Sequence, residues 1–156
     1  MKMKRGQAFD TMMLVISVIV AVAILAILLQ FLKIPLPGSD AKSDINSLMT
    51  KVHSAGYGLE IDEKVTFSNT DTIFRKDAIG GLSVATDNVD FACVSGSQCS
   101  AESDPLTVSS PSIVGHQSIE MVVAVCIKPE TGKYLVAVGQ SVGPVREYAS
   151  SSCGLS

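Results

Sequence analysis

The sequence has no Trp, and aromatic residues make up only 5% of its 156 positions. That leaves few flat side chains on which bases or sugar rings could stack, so composition speaks against a single-strand-binding or carbohydrate platform. Basic residues are scarce where a nucleic-acid surface would need them. From Ile34 onward there are 8 Lys/Arg against 14 Asp/Glu, and the one basic cluster is Lys2, Lys4 and Arg5. No nucleic-acid partner is expected from a mildly acidic body of this kind. Histidine occurs twice, as His53 and His116, and there is no HExxH, P-loop, GxGxxG or GxSxG. The residue types that catalysis requires at fixed spacing are therefore missing, and the chain reads as a non-enzyme without cofactor or metal.

The most informative absence is of charge. From Thr11 to Leu32 the chain carries none, in the run TMMLVISVIVAVAILAILLQFL. Twenty-two residues make a helix about 33 Å long at 1.5 Å per residue. A bilayer hydrocarbon core is about 30 Å thick. The run is longer than the apolar centre of a secretory signal, and its nearest small-residue cleavage site, Ser39-Asp40-Ala41, is poorly placed. Lys2, Lys4 and Arg5 precede the run, and an acidic stretch follows. The positive-inside rule then places the N-terminus in the cytoplasm and the rest of the chain outside, as a single-pass membrane protein.

The four cysteines, Cys93, Cys99, Cys126 and Cys153, all follow the apolar run, which suits an oxidising exterior. There is no CxxC and no HxxxH pair to make a zinc site with His116. Four cysteines permit three pairings, and sequence does not choose among them. The expected arrangement joins Cys93 to Cys99 across CVSGSQC, and Cys126 to Cys153 as a staple on the C-terminal loop.

The segment before the apolar run is KRGQAFDTMM, residues 4 to 13. Its Lys4, Arg5, Gly6 and Gln7, followed by an uninterrupted apolar helix, resemble the archaeal type IV pilin-like proteins. Their precursors carry a short basic leader, a Gly at the cut and a Gln as first mature residue. The resemblance covers about 30 residues and implies cleavage between Gly6 and Gln7 by a prepilin peptidase. It also implies storage in membrane lipid before assembly, and extraction by an assembly ATPase with its membrane platform protein. The product would be a filament of copies of the chain at the cell surface. The pattern departs at one place. The family places a Glu at the fifth mature position, whereas here that position is Thr11 and the acid is Asp10. One helical residue is about 100° of rotation, so Asp10 faces elsewhere. A carboxylate near a helix N-terminus is favoured in either case. Within the helix, small residues such as Ser17 and Ala21 permit close approach of neighbouring copies. The competing reading is a single-pass, membrane-anchored extracellular binding domain that does not polymerise.

Beyond the apolar run, KIPLPGSD breaks the helix at Pro35 and Pro37. A second helix is expected next, because Ile45, Leu48, Met49 and Val52 recur on one face. Ser39 or Asp40 would cap its start and Gly56 would end it, leaving His53 solvated in the last turn. KVTF reads as a brief strand, TDTIFRKDAIGG as a short helix from Thr70, and VDFACV as an alternating strand. SIEMVVAVCI and YLVAVGQ flank the turn KPETGK, so residues 118–139 are expected to form a β-hairpin. Residues 95–118 and SVGPVREYASSSCGLS are read as irregular loops. The expected fold class is α+β, resembling a type IV pilin. It would consist of a leader (1–6), a hydrophobic helix (7–33), a linker (34–38) and an extracellular head (39–156). The head would comprise a short amphipathic helix, a small antiparallel sheet and a C-terminal disulfide loop.

Overall fold

A computed structural model describes residues 5–32 and 40–155, with side chains described from Asp10 to Leu28 in the first segment. The first four leader residues, the linker 34–38 and the candidate cap Ser39 lie outside the described residues. The chain divides into two compact units, Met1–Gly38 and Ser39–Ser156.

The first unit is α1, Arg5–Leu32, a single 28-residue helix. Beyond Gly6 in its first turn the helix contains no glycine or proline, so nothing interrupts the hydrogen-bond ladder of its apolar stretch.

The second unit opens with α2, Ala41–Ala55. The Asp40 side chain accepts a hydrogen bond from the Lys42 backbone N–H, satisfying one of the free amides of the first turn. At the other end Gly56 takes φ 75° and its N–H bonds the Val52 carbonyl oxygen. The stripe Ile45, Leu48, Met49 and Val52 is fully buried, together with Ala41.

Seven strands follow. They are β1 (Leu59–Phe67), β2 (Thr72–Phe74), β3 (Val89–Cys93), β4 (Leu106–Val108), β5 (Ser112–Gly115), β6 (Ile119–Lys128) and β7 (Lys133–Gly139). Helix α3, Arg75–Ile79, lies between β2 and β3, and α4, Val142–Ser152, follows β7. The main sheet has the order β1-β6-β7-β3, and a smaller one has the order β2-β5-β4. The β6–β7 hairpin is the centre of the main sheet. It pairs from Val122↔Gly139 to Lys128↔Lys133, and Gly132 supplies φ 67° in the turn.

Residues on β6 alternate between two cores. Met121, Val123 and Val125 face α2, while Val122, Ala124 and Cys126 face α4. Strand β1 serves both faces by means of a bulge. Asp62 pairs with Val123 and Val65 with Met121, so three steps on β1 oppose two on β6. Leu59 and Ile61 therefore pack towards α4, whereas Val65 and Phe67 are buried beneath α2. Asp62 holds the bulge by accepting from the Lys64 N–H at 3.1 Å. The bulge and the charges of Glu60, Asp62, Glu63 and Lys64 also blunt this edge strand against further pairing.

The α+β class is as expected, with four differences in detail. The main sheet is mixed, because β3 runs parallel to β7 while the other pairs are antiparallel. Residues 95–118 include β4 and β5, which seal the smaller sheet with the buried Leu106 and Ile113. The segment expected as a helix from Thr70 starts as β2 and turns helical only at Arg75. The C-terminal segment is the helix α4 and not a loop. Pro144 occupies its first turn, where a missing N–H costs nothing, and Val145, Ala149 and Cys153 recur one helical turn apart as a stripe on the sheet.

Candidate functional site

The dominant surface feature is α1. From Asp10 to Leu28 it is apolar and long enough to cross a membrane or to act as a signal, and none of that span is buried in the protein. Its large apolar side chains between Met12 and Leu28 are 49–67% exposed, on every side of the helix. A helix that is apolar all round belongs in lipid or among other helices, because water penalises each exposed side chain by roughly 1.5–3 kcal/mol relative to burial. The head differs sharply. Its exposed large apolar residues are Tyr57, Phe74, Tyr148 and Leu155.

Gly6 and Gln7 fall within the first turn of α1. Asp10, Ser17 and Ala21 are all exposed on it. Ser17 and Ala21 are one turn apart and share a face, and Asp10 stands at the polar boundary of the apolar stretch. In the head, Cys93 is bonded to Cys99 and Cys126 to Cys153. The two bridges staple opposite ends of the main sheet. Cys93 closes β3 beside Val138 at the end of β7, and Cys126 lies near the β6–β7 turn.

Neither histidine belongs to a reactive constellation. His53 is half-buried, and not solvated as expected. Its Nδ1 lies 2.6 Å from the Tyr134 hydroxyl, tying the last turn of α2 to β7. Burial raises the pKa of the Tyr134 phenol by penalising the phenolate. Nε2 of the exposed His116 shares a 2.9 Å hydrogen bond with Thr107 Oγ1. Among the described residues no three His, Cys, Asp or Glu side chains converge as metal ligands would.

Sequence reasoning did not pick out a polar knot around Arg75. Its Nη2 donates to Asp90 Oδ1 and to Ser110 Oγ, each at 3.1 Å, and Ser110 Oγ also donates to Asp90 Oδ1. Asp87 Oδ1 lies 3.9 Å from Nη1. The knot fastens α3, β3 and the β4–β5 turn to one another. Beside it, Phe74, Arg75, Lys76, Thr86 and Pro111 line an open hollow of about 300 Å³. Only the spacing of Arg75 from residues 15 and 35 positions away forms this group, so no local pattern could have announced it.

Comparisons with protein-family models, with curated proteins and with solved structures find no match to the chain.

Proposed function

We propose that the chain is a structural subunit, a pilin or pseudopilin, of an archaeal type IV pilus-like surface filament. The observation that carries this reading is the pairing of an all-round apolar, uncovered helix with the KRGQ flank at its start. Before assembly, α1 sits in the bilayer with its basic end in the cytoplasm and the disulfide-bonded head outside. Removal of residues 1–6 at the Gly6–Gln7 bond discards Lys2, Lys4 and Arg5, the charges that hold that end at the cytoplasmic surface. The apolar surface between Met12 and Leu28 then exchanges lipid for the same helix in neighbouring copies. Uniform apolarity favours neighbours on all sides of α1 over a two-helix seam, which would need only one apolar stripe.

Replacing Gly6 with Phe tests this directly in cells producing the full chain. The variant is expected to insert in the membrane normally, to keep residues 1–6 and to form no filaments. Filaments at normal yield from uncut Gly6→Phe chains would defeat the proposal. Unchanged membrane residence of an uncut wild-type chain, with no filament, would favour the anchored binding domain.

A further inference from the structure

The two faces of the main sheet are covered very differently. Beneath α2 lies a broad core that includes Phe67, Ile73, Phe91, Leu106 and Ile113. On the opposite face α4 is the one covering helix among the described residues, and its buried apolar side chains are Val145 and Ala149. They rest on small or short residues of β6 and β7, among them Val122, Ala124 and Ala137. Contact is close: a Cβ added at Gly139 would stand 2.5 Å from Val145 Cγ2.

By itself α4 is a poor helix. It contains Gly143 and Pro144, ends in Ser150, Ser151 and Ser152, and its N-cap Ser141 makes no side-chain capping bond. Eleven residues are too few for an isolated helix to persist in water. No salt bridge among the described residues joins it to the sheet. The remaining tie is covalent. Cys153, immediately after the last turn, is bonded to Cys126 within β6, closing a loop of separation 27.

We infer that Cys126–Cys153 is a redox latch. When the bond is formed, α4 is held on the sheet. When it is reduced, α4 detaches as a separate unit and uncovers the strip around Val122, Ala124, Leu135 and Ala137, while the hairpin and the α2 face keep their fold. The reductant is a dithiol. Its thiolate attacks one sulfur of the bridge, forming a mixed disulfide with that cysteine and expelling its partner as a thiolate, and its second thiolate then closes an intramolecular disulfide and releases the attacked cysteine. Two electrons and two protons pass to the protein, leaving two thiols and one oxidised dithiol. Both protein sulfurs are buried, so attack proceeds through fraying of the last α4 turn.

The test is hydrogen exchange on the full chain in detergent micelles, oxidised and after reduction with dithiothreitol and alkylation. The double variant Cys126→Ala/Cys153→Ala provides the open state without reagent. Amides of 142–152 are expected to exchange roughly 100- to 1,000-fold faster once the loop is open. Amides of 119–139 should change less than about tenfold, because their pairing does not depend on α4. Reduction of Cys93–Cys99 is controlled by Cys93→Ala/Cys99→Ala, which should leave α4 protected while Cys126–Cys153 is intact. Two results would overturn the inference: α4 remaining protected without its disulfide, or α4 and the hairpin losing protection together.

Discussion

Deleting Glu63 and Lys64 together puts Leu59, Ile61, Val65 and Phe67 at every second position and abolishes the bulge that lets β1 serve two cores. Without it, the strand must choose a single alternation. If Val65 and Phe67 were turned outward, two fully buried side chains would be lost from the α2 core, at about 3–6 kcal/mol. If Leu59 and Ile61 turn outward instead, two half-buried side chains are lost, at roughly half that cost. The second choice also carries Glu60 and Asp62 towards the α4 face, opposite Ala124 and Val122, which adds a penalty of about 1 kcal/mol for desolvating charge at a partly open edge. The cheaper alternative wins, so the head (residues 39–156) should lose about 2–4 kcal/mol. The change should be confined to the first half of β1. Urea unfolding gives the total, and hydrogen exchange should show amides of Leu59–Asp62 deprotected while Val65–Phe67 stay protected. Glu63→Ala is the control: the side chain is exposed, so stability should remain within about 0.5 kcal/mol. A deletion as harmless as that substitution, or one that frees Val65–Phe67 first, would refute the two-core account of the bulge.

Gly115→Ala places a Cβ against the Ser68 carbonyl oxygen, so backbone must move, and a loss of at least about 2 kcal/mol is expected in thermal unfolding; an unchanged Tm would contradict the register of β5. Tyr134→Phe removes the 2.6 Å partner of His53 and should cost about 1 kcal/mol, whereas His53→Ala combined with it should cost less than the sum of the two single changes. The same phenol sets an alkaline limit. Its folded pKa lies above the ordinary 10.0, so the unfolded chain releases the proton first, and stability present below about pH 10 is lost as pH rises through the folded value. Tyr134→Phe should flatten the fall in Tm above about pH 10, and an identical slope in both proteins would exclude this origin. Val20→Lys, at the middle of the apolar stretch, should reduce membrane insertion by about 2.5–3.5 kcal/mol without altering the head, as read by membrane fractionation; complete retention in the membrane would argue against α1 as the spanning segment.

Strong local signals carried much of the architecture. The charge-free run from Thr11 to Leu32 and the i, i+3, i+4, i+7 stripe of α2 are periodic enough to survive any tertiary context, and so is the Val/Ile-rich hairpin around Gly132. What was not legible depends on distant partners. Strands β4 and β5 are three and four residues long, set among Ser and Pro, and acquire their structure only by pairing with each other and with β2. Helix α4 contains Gly143, Pro144 and a serine run, so its propensity is that of a loop, and the sheet beneath Val145 and Ala149 overrides it. The parallel placement of β3 is likewise a consequence of where the chain returns, and alternation in VDFACV cannot reveal the direction of its neighbour. The polar knot at Arg75 joins three segments far apart in sequence, whereas the candidate cut at Gly6–Gln7 rests on four adjacent residues and is visible in the sequence itself.

The central claim is that α1 leaves the membrane as the shared core of a filament after its leader is removed. It is tested most directly by the intact mass of the native protein sheared from the cell surface, measured beside that of the membrane fraction. The filament account predicts that the sheared material begins at Gln7, and that the membrane retains both this form and the longer precursor. A native chain that is found only in the membrane and still carries residues 1–6 would contradict it.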